Sequence, residues 1–273
     1  MQSCQLEDFW YDGLGTDTLG IHSTVVFNDT LLQVNLDSVF DPHAITVDNI
    51  PGLVAHYPLD NSAFEAVSQS NGTLTGTSAA LNRKGIAQKA LYLDGIDDHL
   101  DLVPNNIFNP QYSFSLWVKA DALPDLNKAR FILGLGGEDG DQSIMLANNY
   151  SQRTGFAASS YSGQCQGSLS NVIASTGSFT TSDTAAWHHL VVTRSTDTLK
   201  LYVDGALIDT KVRDTNCSIP VLYNSTTVAV LGQRLASGSN YNTSSNRFKG
   251  ILDDFRMYNR AINSTEIQLL YSE

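Results

Sequence analysis

The sequence predicts an all-β protein: a two-sheet antiparallel sandwich with a short C-terminal helix. Three observations carry this expectation. Short runs of β-branched, aromatic and other apolar residues recur along the chain, bounded by Gly, Asn, Asp or Ser. Asp204-Gly205 separates two such runs, at 199–203 and 206–208, and is the strongest hairpin signal in the chain. Charged residues make up only 16% of the 273, and Ser, Thr and Asn supply the rest of the polar surface. That composition suits sheets and turns; a solvated helix surface needs more Lys and Glu.

The elements follow in order. Residues 24–27, an Asn28-Asp29 turn and residues 31–36 read as a hairpin. Strand-like runs come next at 52–57, 90–93, 99–103 and 113–118, then at 131–134, 143–146 and 189–193. After the Asp204-Gly205 hairpin the last strands are 228–232 and 250–257. One helix stands at the end: Asn263 caps it, Glu266 completes a capping box, and Ile267, Leu270 and Tyr271 form one apolar face. Many short strands separated by turns mean a sandwich or a closed barrel.

Composition narrows the partners. A hydrophobic content of 42% with 9% aromatic residues supports a real core. The net charge of −12, carried mostly by Asp, argues against a nucleic-acid backbone or an anionic membrane as partner. No apolar run approaches the ~20 residues of a membrane span, so no membrane insertion is expected. The start, Met1-Gln2-Ser3-Cys4-Gln5, lacks the basic-then-apolar order of a signal peptide. The expectation is a chain with its signal trimmed, or one that begins inside a longer protein. Cys165 and Cys217 lie in polar contexts without zinc-ligand spacing, and a disulfide between them suits an extracellular or cell-surface protein. Two unpaired thiols are the alternative, and Cys4 is left over.

From Gly52 onward these pieces resemble one family. Residues 52–60 look like its first strand and Asn71-Gly72-Thr73-Leu74 like the loop after it. Residues 85–100, with Asp94-Gly95 and Asp97-Asp98, match its Asp-Gly segment. Residues 113–118 and 187–193 match its two Trp-bearing strands, 201–205 its hairpin, and 250–267 its closing strand and helix. The chain is identified on these motifs as similar to the laminin-G-like, concanavalin-A-like jelly-roll domains, over about residues 51–273. Residues 1–50 lie outside the resemblance. They read as an extension with a β-hairpin, packed on the sandwich or docking a neighbouring domain or subunit.

Candidate chemistry is sparse. Nucleophile-elbow, zincin and phosphate-loop motifs do not occur. Retaining glycosidases need two carboxylates about 5–5.5 Å apart. In the laminarinase-like relatives that the resemblance brings to mind, these come from one strand as Glu-x-Asp-x-x-Glu. Glu occurs here only at 7, 65, 138, 266 and 273, no two on one strand, so the expectation is a chain that is not an enzyme. His188 and His189, adjacent on a strand, point to opposite faces and cannot chelate one ion together. One is expected exposed and the other buried in the core. Trp117 and Trp187 read as mid-strand core residues. Tyr150, Tyr161, Tyr223 and Tyr241 lie in Asn/Ser-rich stretches and are weak candidates for a binding rim.

Asp253 shares the two-residue period of Ile251, Phe255 and Met257, and a carboxylate in such a row needs an Arg, N–H groups or a cation as partner. The resemblance implies a structural Ca²⁺ held by Asp94, Asp98 and Asp253, with Asn71 contributing its carbonyl. Glu65 stands where many members of the family have Asp. The alternative is a set of hydrogen-bonded turn residues without metal. The functional expectation is an extracellular recognition or adhesion module, lectin-like, that binds a glycan or a cell-surface protein. A structural spacer in a surface assembly, such as a pilus or a multidomain adhesin, is the first alternative, and a glycan-active enzyme with an unfamiliar site is the second.

Overall fold

The structure is a computed structural model. It describes the strands Ser23–Phe27 and Thr30–Val34 and residues 47–103, 111–137, 140–150, 153–160, 171–174, 183–196, 198–212, 228–233 and 246–273. The chain divides into two units, Met1–Thr46 and Val47–Glu273. In the first, β1 (Ser23–Phe27) and β2 (Thr30–Val34) pair antiparallel, with Val25 opposite Leu32.

The second unit continues with β3 (Leu53–Tyr57), β4 (Thr73–Thr75), β5 (Ser78–Ala80), β6 (Ala90–Asp94), β7 (His99–Leu102), β8 (Tyr112–Ala120) and β9 (Lys128–Gly137). Next come β10 (Gly140–Tyr150), β11 (Arg153–Ser160), β12 (Asn171–Ala174), β13 (His188–Arg194), β14 (Thr198–Val203), β15 (Ala206–Val212), β16 (Val228–Leu231), β17 (Lys249–Tyr258) and α1 (Ser264–Ser272). One sheet has seven strands in the order β12-β11-β10-β9-β16-β7-β4. The other has eight, in the order β15-β14-β13-β8-β17-β6-β5, with β3 paired to β17. This is the expected all-β sandwich. Strands β4, β5, β11 and β12 were not anticipated, since runs such as Ser78-Ala79-Ala80 are too short or too rich in Ala and Ser to stand out.

Alternation builds the core. β8 sends Phe114, Leu116 and Val118 inward and leaves Ser113, Ser115 and Trp117 on the outer side. β13 does the same with Leu190 and Val192 inward and His189 and Val191 outward. α1 covers that outer side: Ile267 and Leu270 pack with Val191, Tyr202 and Tyr258 in a second apolar cluster. Its capping box is formed as expected, the Asn263 side chain accepting from Glu266 N–H and Glu266 accepting from Asn263 N–H. Tyr271 lies at the margin of that face: its ring packs on Trp117 and His189 of the sheet, yet it stays 39% exposed.

The central strand β17 changes partner halfway. Lys249 to Leu252 pair with Asp94 to Leu91 of β6, whereas Phe255 to Tyr258 pair with β3. Against β8 the register shifts between Asp253 and Arg256, and Asp254 takes a left-handed φ of 55°. A bulge inserts a residue and resets the side-chain phase. Phe255 and Met257 therefore face the core with Leu252, while Asp253, Asp254 and Arg256 form a buried ionic cluster with groups outside the main core. This corrects the single face expected for Ile251, Asp253, Phe255 and Met257, because a strict two-residue period holds only in an unbulged strand.

Arg83, from the loop between β5 and β6, closes the cluster. Its guanidinium lies 2.8 Å from Asp253 Oδ2, 3.1 Å from Asp254 Oδ2 and 3.6 Å from Glu273 Oε2. Arg256 bridges Asp254 at 3.0 Å and Glu273 at 2.7 Å, and His56 Nε2 lies 2.8 Å from Asp254 Oδ1. Burial raises Asp253 to about 6, against the downward pull of Arg83. Burial also pushes Asp254 upward, but the His56 hydrogen bond and the charges of Arg256, His56 and Arg83 outweigh it and hold Asp254 at about 2.

Asp254 is thus depressed from 3.8 to about 2. Its contribution to stability is complete above the unfolded value and is lost as pH falls from about 4 toward 2. A shift of this size corresponds to about 2 kcal/mol. Chemical denaturation across that window should show wild type losing about 2 kcal/mol more than Asp254→Asn; parallel profiles would contradict the cluster.

Candidate functional site

The turn between β6 and β7 gathers carboxylates. Asp94 Oδ1 accepts from Ile96 N–H at 2.7 Å, and Asp98 Oδ2 accepts from Asp94 N–H at 2.9 Å, so the chain folds back on itself. Asp94, Asp97 and Asp98 each offer an oxygen within 4.8 Å of the other two. That spacing suits a shared ion with metal–oxygen distances of about 2.3–2.6 Å, and hard carboxylate oxygens suit Ca²⁺. Asp98 is buried, Asp94 half-buried and Asp97 exposed, so the group opens to solvent on one side. Gly76, at φ 74°, brings its backbone against Asp98; a Cβ there would stand 1.9 Å from Asp98 Oδ1. The residues present therefore fit a calcium ion. Asp97 was not among the expected candidates, although it lies in the same Asp-Gly turn.

Two expected ligands have other engagements. Asp253 is four residues along β17 from Lys249, the register partner of Asp94, or roughly 13 Å at about 3.3 Å per residue. Its carboxylate is held by Arg83. The Asn71 side chain accepts from Glu65 N–H at 3.2 Å. Glu65 itself is buried and accepts from the N–H groups of His56, Val67 and Ser68 and from the Ser68 hydroxyl. Burial acts to raise Glu65, but these hydrogen bonds prevail and hold it below the ordinary carboxylate range. It closes its loop as an internal acceptor.

An aromatic stack lies on the outer side of the eight-stranded sheet. Trp117 of β8 and His189 of β13 are register partners with ring centroids 5.0 Å apart. Tyr271 stacks on Trp117 at 5.8 Å and 18°, and on His189 at 6.1 Å and 20°. The Arg83 guanidinium carbon lies 5.1 Å from the centroid of the Trp117 ring. His189 Nε2 is 2.8 Å from Ser115 Oγ, and burial pulls His189 down to about 3, so it is neutral. His189 Nδ1 and Trp117 Nε1 are buried without a partner.

The remaining expectations divide. His188 and His189 do point apart: half-buried His188 meets Asp204 at 2.8 Å, while His189 is buried. Trp117 is buried, but outside the main core, and half-buried Trp187 precedes β13 rather than lying within it. Tyr150 ends β10, with its side chain outside the described residues. Tyr161, Tyr223, Tyr241, Cys165 and Cys217 lie outside the described residues altogether.

A family profile described as the concanavalin A-like lectin/glucanases superfamily matches residues 94–268. No curated protein matches the chain in sequence. Several solved structures share its fold. Domain 4 of AbnA, an extracellular GH43 arabinanase from Geobacillus stearothermophilus, in complex with arabinotriose, is 23% identical with a TM-score of 0.58. That match covers 80% of this chain and 98% of the domain. Botulinum neurotoxin type C, whose cell entry depends on interaction with two ganglioside molecules, is 16% identical with a TM-score of 0.58 over 81% of this chain and 51% of that one. Trypanosoma rangeli sialidase in complex with sialic acid is 17% identical with a TM-score of 0.52 over 81% of this chain and 32% of the enzyme. The chain thus spans about half of the neurotoxin chain and about a third of the sialidase.

These neighbours correct one expectation. The missing glutamate pair suggested a chain that is not an enzyme, yet the same fold occurs in a sialidase and in one domain of an arabinanase. The fold gives no ground for setting enzymes aside. On the sandwich and on the match over residues 94–268, the chain belongs to the concanavalin A-like lectin/glucanase superfamily.

Proposed function

We propose that the chain is an extracellular glycan-recognition module stabilised by a calcium ion at Asp94, Asp97 and Asp98. The observation that carries the glycan reading is the likeness to a domain held with arabinotriose, nearly the whole of which the chain covers. The neurotoxin and sialidase neighbours, tied by their descriptions to gangliosides and sialic acid, support the same ligand class. The acidic charge fits a ligand recognised by hydroxyl groups. The sandwich serves as a rigid scaffold, and recognition belongs to residues displayed on it.

Calcium in this reading is structural. The ion neutralises three carboxylates that otherwise repel one another and pins the β6–β7 turn to the Gly76 backbone. Binding only the folded state stabilises by about 2.7 kcal/mol at a hundredfold excess over Kd.

A glycan array spanning neutral and sialylated sugars should show selective binding, and a blank array would overturn the glycan reading. Thermal unfolding in calcium should exceed that in chelator by several degrees. Asp98→Asn should abolish the difference. Asp253→Asn should lower both temperatures and preserve the difference, because Asp253 serves Arg83. Identical wild-type curves in calcium and chelator would rule the ion out.

A further inference from the structure

Tyr271 combines exposure with rigidity. At 39% it is exposed, yet its ring is already fixed by stacking on Trp117 and His189. Those two are in turn held by Arg83 over Trp117 and by the Ser115 hydroxyl on His189. An exposed aromatic side chain normally loses rotamer freedom when it binds a ligand; one that is already immobile loses little. Tyr also offers a large apolar ring face with a hydroxyl at its edge.

Carboxylates stand on the elements that hold this ring, Asp204 in the β14–β15 turn and Glu273 at the end of α1. Gln268, one helical turn before Tyr271, donates through Nε2 to Gly205 O at 2.7 Å and so docks α1 against the Asp204-Gly205 turn. The Asp204 carboxylate accepts from His189 N–H at 2.8 Å, and its side chain remains 34% exposed. On the other side Glu273 is 26% exposed, whereas its partner Arg256 and nearby Arg83 are 4% and 9% exposed and already engaged by carboxylates. Both carboxylates are themselves paired, Asp204 with His188 and Glu273 with Arg256, but each is the more exposed partner, so the accessible polar atoms of these pairs are acceptor oxygens. Two ring nitrogens within the stack, Trp117 Nε1 and His189 Nδ1, are buried with no hydrogen-bond partner among the described residues.

The geometry points to Tyr271 as a binding platform for a neutral sugar: a pyranose stacks its C–H face on the ring and donates hydroxyl hydrogen bonds to Asp204 and Glu273. This inference rests on the glycan reading and adds to it a place and a ligand class. It also separates this chain from its sialic-acid-linked neighbours, since a sialic carboxylate would meet Asp204 and Glu273 with like charge and find Arg83 and Arg256 already paired.

Titration calorimetry with lactose, laminaritriose, arabinotriose and 3′-sialyllactose tests it, on wild type, Tyr271→Ala and Tyr271→Phe. Wild type should bind a neutral sugar and bind lactose more tightly than 3′-sialyllactose. Tyr271→Ala should weaken the neutral sugar by at least about tenfold, and Tyr271→Phe, which keeps the ring, by less than about threefold. Unchanged melting of Tyr271→Ala would show that the fold is intact; if it melts lower, Tyr271→Leu, which fills the position without an aromatic face, must show the same loss. Binding that survives in Tyr271→Ala, or a preference for 3′-sialyllactose, overturns the platform while leaving the glycan reading standing. A wild type that binds none of the four overturns the platform too, and the array then decides the broader reading separately.

Discussion

Everything on the outer side of the eight-stranded sheet hangs on the place where β17 exchanges β6 for β3. The exchange leaves a bulge, and the bulge presents Asp253 and Asp254 side by side. Two adjacent buried carboxylates cannot persist without counter-charges. Arg83, Arg256 and His56 supply them, each from a different element. Because Arg83 and Arg256 also reach Glu273, the same charges tie the end of α1 to the sheet. Removing Arg83 would leave the buried Asp253 without its guanidinium partner, at a cost of about 3–5 kcal/mol. The cluster is therefore a joint between the central strand, the 81–87 loop and the terminal helix.

That joint sets the stage for recognition. Arg83 covers Trp117, Trp117 supports Tyr271, and the helix that carries Tyr271 is docked at its middle by Gln268 on the Asp204-Gly205 turn and at its C-terminal end by Glu273 on Arg256. The Asp94-Asp97-Asp98 group, by contrast, organises the β6–β7 turn and stands against Gly76. The two assemblies meet β17 at different points along it, Lys249 opposite Asp94 and Asp253 opposite Trp117. Calcium and sugar would thus use separate parts of one scaffold, the first for stability and the second for recognition.

Much of the fold was legible from residues close together in sequence. Asp204-Gly205 announced its hairpin, Asn263 and Glu266 the start of the helix, and Asp94-Gly95 the acidic turn. The phase of β17 was hidden, because a bulge depends on which strands flank it, and nothing in Asp253-Asp254 marks the change of neighbour. Arg83 was hidden for a related reason: it finds Asp253 across 170 positions of sequence. Trp117 was recognised as buried, and so was one of His188 and His189, but burial beneath a helix and burial between sheets look alike in a strand whose two faces are both covered. Tyr271 sat at helical spacing with Ile267, and only the placement of α1 showed it at the margin of the buried stripe.

Hydrogen exchange on α1 in the full chain tests most directly whether the ionic joint holds the recognition face together. In Arg83→Met the amides of residues 269–272 should exchange at least about tenfold faster than in wild type, equivalent to about 1.4 kcal/mol of lost local stability. The amides of the β13–β14 pair, which touch the cluster only through His189, should keep their protection. Unchanged exchange at 269–272, with the protein folded, would mean that Asp253, Asp254 and Glu273 do not depend on Arg83 and that the helix is held by Ile267 and Leu270 alone.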